Sequence, residues 1–315
     1  MLTSRVQAAP LSRATTPAEE RSAIRFHRLL VAVDLTALSD RVIGRVMRLP
    51  IAERGRIELL HVVPSGLSST EQRRAVNDAR SYLAGAADDL SASVPGGVVV
   101  TSEVEIGAAP PAISRHALAM HAELVVTGRG HMHTLRDHMI GSTAERVIRR
   151  SRVPILVVRR PPRSRYLRPV VALDDDGAAS AVLAALVRVL PAPRPTLDVI
   201  HAAERAYVHA YPSLRRDDQA QYKRDLAAQA LPQVARLLAS AVDSTGVPAD
   251  AVPYELRVEC GSSRPVIQRA VEQADADLLA LGTRGRSGLS YALLGTIAGD
   301  VLRAVRCDVL VVPPP

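Results

Sequence analysis

The sequence predicts an α/β protein built from two tandem, doubly wound, five-stranded parallel-sheet domains. Three observations carry this. Short apolar runs alternate with segments of helical length, the whole order of runs occurs twice, and the runs are continuously apolar, as strands covered by helices on both faces must be. The 315 residues leave room for two domains of about 150 each. Hydrophobic residues make up 47% of the chain and aromatics only 3%, so both cores are expected to be aliphatic.

The repeat is legible residue by residue. RLLVAVD (28–34) returns as RPVVALD (168–174), and IELLHVV (57–63) as LDVIHAA (197–203), both at a shift of 140. From Val104 the shift becomes 154, and residues 104–158 against 258–312 share 18 identities in 55 positions. Fixed-distance self-similarity of this kind marks a duplication. The 14-residue difference in shift is expected in the long polar helical stretch around Arg215–Ser244 of the second copy.

Taken in order, residues 1–25 are rich in Ser, Thr, Ala, Pro and Arg and lack the apolar centre of a signal peptide, so they read as a disordered leader. The first domain (26–160) has candidate strands near 29–34, 57–63, 98–105, 123–128 and 154–158. Pro161, Pro162 and the basic RSRYLR stretch mark a linker over 161–167. In the second domain (168–315) the strands fall near 169–174, 197–202, 252–259, 277–282 and 308–312. Segments such as SDRVIGRVMRLP and AASAVLAALVRVL carry the 3.6-residue period of helices between them, which implies right-handed crossovers. Each domain closes on a short apolar strand, ILVV (155–158) and VLVV (309–312). An edge strand must be blunted or find a partner, and Pro313–Pro315 are expected to cap the second. A homodimer stays open as a further assembly.

Composition narrows the function. No apolar run approaches the roughly 20 residues of a membrane span. The net charge of +8 comes from 39 arginines and one lysine, Lys223, scattered along the chain, with one Phe and seven Tyr. That is a solvated basic surface rather than a nucleic-acid platform, which needs stacking aromatics beside clustered charge. Two cysteines, Cys260 and Cys307, imply no disulfide framework, and a reducing, cytoplasmic compartment is expected.

In doubly wound sheets, ligands sit beyond the carboxyl ends of the strands at the switch point. Asp174 ends the first strand of the second copy, where a carboxylate accepts hydrogen bonds from a ribose or similar diol. After the fourth strand comes GTRGRSGLSYALLGT, with Gly282, Gly285, Gly288 and then Gly295-Thr296 opening a helix. Glycines let backbone amides approach an anion, a helix start adds unpaired N–H groups, and Arg284 and Arg286 add charge. The stretch is not a Walker loop, which needs GK[ST], nor a Rossmann fingerprint, which follows strand one.

The spacing G-x2-G-x9-G-[ST], met by Gly282, Gly285, Gly295 and Thr296, resembles the signature of the universal stress protein family. The early aspartate and the closing VLVV strand strengthen the likeness, which covers about 28–160 and 168–313. The resemblance implies an adenine nucleotide alpha hydrolase-like fold and ATP as ligand, with Mg2+ left open. It implies Asp174 against the ribose, Gly282 beside it, and Gly285, Gly295 and Thr296 on the phosphates. It also implies a stress-response protein that works by nucleotide-dependent conformation or association, with the closing strands ILVV and VLVV paired within the chain. In the first copy Asp34, Gly128, Gly141 and Ser142 match the pattern, but His131 holds the second glycine position and Gly130 stands one place early. A second, weaker site is expected there. No base or nucleophile accompanies the loop, so no catalytic residue is assigned and hydrolysis is expected to be slow at most. The rival readings are a slow nucleotide hydrolase or adenylating enzyme, and a non-binding dimerisation scaffold.

Other polar groups have plainer readings. His131, His133 and His138 lack the ligand set of a zinc site and read as a solvated loop. His61 and His201 recur at equivalent strand ends, either lining the pocket or packed. Of the run Asp174–Asp176, a divalent ion is one reading; Asp176 is preferred as a helix cap, and Asp175 is open. Cys307 reads as packed, and Cys260 as inert.

Overall fold

The computed structural model describes residues 25–36, 38–129, 142–174, 177–203, 216–283 and 296–314. The leader lies outside them. The first repeat runs β1 (Phe26–Ala32), α1 (Ser39–Val46), β2 (Ile51–Val63), α2 (Ser69–Ser93), β3 (Val99–Ile106), α3 (Ala109–Ala119), β4 (Leu124–Gly128), α4 (Ser142–Arg150) and β5 (Ile155–Val158). The second runs β6 (Pro169–Leu173), α5 (Ala179–Val189), β7 (Leu197–Ala202), α6 (Arg216–Asp243), β8 (Tyr254–Glu259), α7 (Ser263–Gln273), β9 (Leu278–Gly282), α8 (Thr296–Ala304) and β10 (Asp308–Val312).

All ten strands form one sheet in the order β3-β2-β1-β4-β5-β10-β9-β6-β7-β8. Within each repeat every pairing is parallel, and the central β5–β10 pairing is antiparallel, with Leu156 opposite Leu310. Strand side chains alternate between the two faces. Leu29, Val31, Leu278 and Ala280 therefore join the layer that holds Val42, Leu83, Leu183 and Leu238 of α1, α2, α5 and α6. Leu30, Ala32, Leu279 and Leu281 face Ile113, Val147, Val266 and Val301 of α3, α4, α7 and α8. Among the described residues no helix is long and apolar enough to cross a membrane.

Three expectations need correction. β10 is an interior strand, hydrogen-bonded to β5 and β9, so the prolines after it blunt no edge; the edges of the sheet are β3 and β8. The extra residues of the second copy do not lie mainly within the helix: α6 has 28 residues against 25 in α2, a difference of three, so most of them lie outside it. Ala178 stands at the N-cap position of α5 and makes no side-chain capping bond, and Asp176 lies outside the described residues. β2 also begins earlier than expected, because the β1–β2 register shifts between Phe26 and Arg28. Gly55 sits at that irregularity, where a Cβ would stand 3.0 Å from the Ala52 carbonyl oxygen.

The seam between the repeats is more than two paired strands. Asp308, fully buried at the start of β10, accepts the backbone N–H groups of Arg159 and Arg160 (2.8 and 3.0 Å) and the Tyr166 hydroxyl (2.7 Å). Arg45 of α1 makes an ion-pair contact with it at 3.2 Å and lies 3.9 Å over the Tyr166 ring. Burial and the adjacent Asp308 push the Tyr166 phenol well above its ordinary range, so it stays a donor. The expected linker is thus packed structure: Tyr166 is one of the core side chains. On the other flank Arg188 of α5 reaches Glu123 at 2.9 Å and lies 4.7 Å over the Phe26 ring. Burial raises the Glu123 carboxyl, but the backbone N–H groups of His27 and Arg28 together with Arg188 outweigh it and hold it below its ordinary value of 4.5.

Candidate functional site

The crossover direction reverses between β6 and β9, which are neighbours in the sheet. A cleft opens at their carboxyl ends. Asp174, one residue past β6, and Gly282, the last residue of β9, both line it. Its walls are apolar, from Ile200 and Ala202 of β7, Ile267 of α7, Leu281 of β9, and Ala298 and Val301 of α8. Ser263, the first residue of α7, adds a hydroxyl at the rim. The enclosed part measures about 60 Å3. Pockets that take a whole small molecule run to roughly 300–1,000 Å3, so this is the floor of a site rather than all of it.

Two local features fix that floor. His201 on β7 lies with its Nδ1 2.9 Å from the carbonyl oxygen of Leu173, and a carbonyl only accepts, so Nδ1 carries the proton. That bond pins the residue just before Asp174. The first repeat has the same bond, His61 Nδ1 to the Val33 carbonyl at 2.9 Å, just before Asp34. Both histidines are therefore anchors for the strand end that carries the aspartate. Sequence reading left their role open; the equal 28-residue spacing in both copies was the available signal. Gly282 has a packing reason as well: a Cβ there would stand 3.2 Å from the Ala178 Cβ at the cap of α5.

The two aspartates stand in different surroundings. Asp34 Oδ1 accepts the Thr36 backbone N–H (3.2 Å), the Thr36 hydroxyl (2.7 Å) and the Ser39 hydroxyl (3.2 Å), closing the turn into α1. At the position of Ser39 the second repeat has Ala179, which carries no hydroxyl, and Asp174 faces the cleft. Gly128, the counterpart of Gly282, is less confined, with a Cβ there 3.5 Å from Val42.

The remaining candidates divide by position. Thr296 opens α8 and Ser142 opens α4, although their side chains are outside the described residues. Gly285, Gly288, Gly295, Arg284 and Arg286, together with Gly141, His131, His133, His138, Asp175 and Asp176, also lie outside them. Among the described residues no group of three or more His, Cys, Asp or Glu side chains is arranged to hold a metal ion. Burial raises both thiols, Cys260 against a nearby Lys223 and Cys307 to about 12, so both are protonated at neutral pH.

Known proteins match this chain along nearly all its length. The model of the universal stress protein family matches twice, over residues 25–159 and 166–313. A universal stress protein of Mycobacterium tuberculosis (strain ATCC 25618 / H37Rv) is 28% identical over 199 residues, 62% of this chain and 63% of the relative. Universal stress protein E of Salmonella typhi is 46% identical over 57 residues, 18% of each chain. The chain thus spans less than two thirds of the length of either relative. Among solved structures, a universal stress protein from Archaeoglobus fulgidus DSM 4304 superposes with a TM-score of 0.63 at 17% identity, covering 91% of this chain and 96% of its own. A functionally unknown protein from Pseudomonas aeruginosa PAO1 does so at 0.57 and 19% identity, covering 93% and 95%. At these identities the structures speak for the fold.

Proposed function

The chain belongs to the universal stress protein family, and from that premise we propose that its second domain binds an adenine nucleotide, ATP in the first instance, and that the protein acts through nucleotide-dependent conformation or association. The observation that supports this most is the shared cleft: an aspartate from β6 and a glycine from β9 meet over apolar walls at the switch point. A purine suits those walls, and Asp174 suits the ribose hydroxyls as acceptor. Gly285, Gly295, Thr296, Arg284 and Arg286 would hold the phosphates, with Mg2+ an optional escort. On this reading domain 2 comprises 168–315, domain 1 comprises 26–160, and domain 1 is at most a weaker site. Its Asp34 already serves the α1 turn, and His131 replaces a signature glycine.

No catalytic residue is proposed, and hydrolysis is expected to be slow. The cytoplasm is the proposed compartment. A second reading, that of a scaffold whose work is domain association, draws support from the buried cluster around Asp308. Mass spectrometry of nucleotide retained through purification, with calorimetric titration of ATP, separates the two. Retained adenine nucleotide and saturable binding are expected. A protein that carries none and gives no heat with millimolar ATP is the scaffold.

A further inference from the structure

The helix that opens at the signature threonine is held at its far end by the other domain. α8 has nine residues, Thr296 to Ala304, so it runs about 13 Å from the cleft to the seam. Ala298 and Val301 line the cleft. Beyond them, the guanidinium of Arg159, which follows β5 of the first domain, donates through both terminal nitrogens to the carbonyls of Leu302 and Val305. Those carbonyls belong to the last turn of α8 and its exit, the end whose acceptors have no partner within the helix and where the dipole favours a cation. The backbone N–H groups of Arg159 and Arg160 hold Asp308, three residues further on. One short segment of domain 1 therefore clamps the whole passage from α8 into β10.

The clamp runs one way. At the 154-residue shift the counterpart of Arg159 is Pro313, that of Arg160 is Pro314, and that of Asp308 is Pro154. Proline offers neither a backbone N–H nor a side-chain donor. Where the first domain supplies donors the second supplies a carboxylate, and at the pseudo-symmetric position donors and acceptor are lost together. Among the described residues, the helix α4, which opens at Ser142, receives no such cap from domain 2. Burial lowers the Arg159 guanidinium to about 10, which leaves it charged at neutral pH.

We infer that Arg159 is a positioning residue for the nucleotide site of the second domain, setting α8 from domain 1 so that phosphate binding at the α8 N-terminus depends on the pairing of the repeats. The inference rests on the nucleotide reading above. Its chemistry predicts a larger effect on ATP than on adenosine, because α8 would offer phosphates its N-terminus and the nucleoside only the apolar Ala298 and Val301 of the cleft wall. The full chain and its Arg159→Met and Arg159→Lys variants are titrated calorimetrically with ATP and with adenosine. Arg159→Met should weaken ATP about tenfold, within the usual range of coupling between sites, and adenosine by clearly less. Arg159→Lys, which keeps the charge and part of the donor set, should fall between, and it carries the test should the methionine variant fail to fold. Equal ATP affinity in both variants and the parent, or parallel loss of ATP and adenosine, overturns the role given to Arg159. If the parent itself binds neither ligand, the nucleotide reading fails and this inference falls with it.

Discussion

The two repeats share strands, order and anchors, yet treat equivalent positions differently. In both, a histidine on the second strand pins the carbonyl before the first-strand aspartate at the same 2.9 Å. In the first, the aspartate then closes a turn with Thr36 and Ser39; in the second, it faces a cleft. A similar exchange occurs toward the two sheet edges. His116 of α3 stands between Glu58 (2.7 Å) and Glu105 (3.1 Å) in the first repeat, whereas Ala270 takes its place in the second and Arg257 of β8 holds Asp198 at 2.9 and 2.6 Å. After duplication, a local charge balance has been met from a different element on each side. The difference that bears on function is that the aspartate of the first repeat accepts the Thr36 and Ser39 hydroxyls, whereas Asp174 lines a cleft.

The largest effect expected from breaking this contrast is in the loop. Gly285→Val or Gly295→Val should abolish most ATP binding by calorimetry, while Gly141→Val in the first repeat should leave it nearly intact. Survival of binding in the first two and its loss in the third would reverse the assignment of the active domain. Next in size is the seam. Asp308→Ala removes the acceptor shared by Tyr166, the Arg159 and Arg160 amides and Arg45, and should cost about 3–5 kcal/mol in urea unfolding, the range for stripping a buried charge of its partner. A loss under 1 kcal/mol would mean that the strand pairing needs no polar cluster.

The aspartates themselves give a smaller and sharper test. Asp174→Ala should weaken ATP by about 1–3 kcal/mol. Asp34→Ala should cost about 1 kcal/mol of stability through the lost turn and leave ATP affinity as it was. If Asp34→Ala lowers affinity as much as Asp174→Ala, the repeats are two equal sites.

The smallest effect is a pH dependence. Glu123 is held below its ordinary 4.5 in the fold, so its contribution is fully present above that value and is lost as pH falls through the lowered folded value. Glu123→Gln should therefore flatten the acid limb of the stability curve below about pH 4.5 and leave its slope at neutral pH unchanged. An acid limb as steep as that of the parent would remove Glu123 from the seam's energetics.

Much of this molecule was legible in its sequence, because the relevant signals are local and occur twice. Continuous apolar runs marked the strands within a few residues, the 140- and 154-residue shifts marked the duplication, and the spacing of Gly282, Gly285, Gly295 and Thr296 marked the signature. The pairing of ILVV with VLVV followed from the family resemblance together with the need of an apolar edge for a partner. What only the tertiary structure decided involves residues far apart in sequence. Nothing near Asp308 announces that it will gather Arg45, Arg159, Arg160 and Tyr166, because that gathering exists only once two repeats share one sheet. Prolines and basic residues mark the linker, and a single buried tyrosine within it is invisible to composition, which reports average solvation. Asp34 and Asp174 end matching strands, and that Asp34 accepts hydroxyls two and five residues further on, and that Asp174 lines a cleft, are matters of three-dimensional geometry.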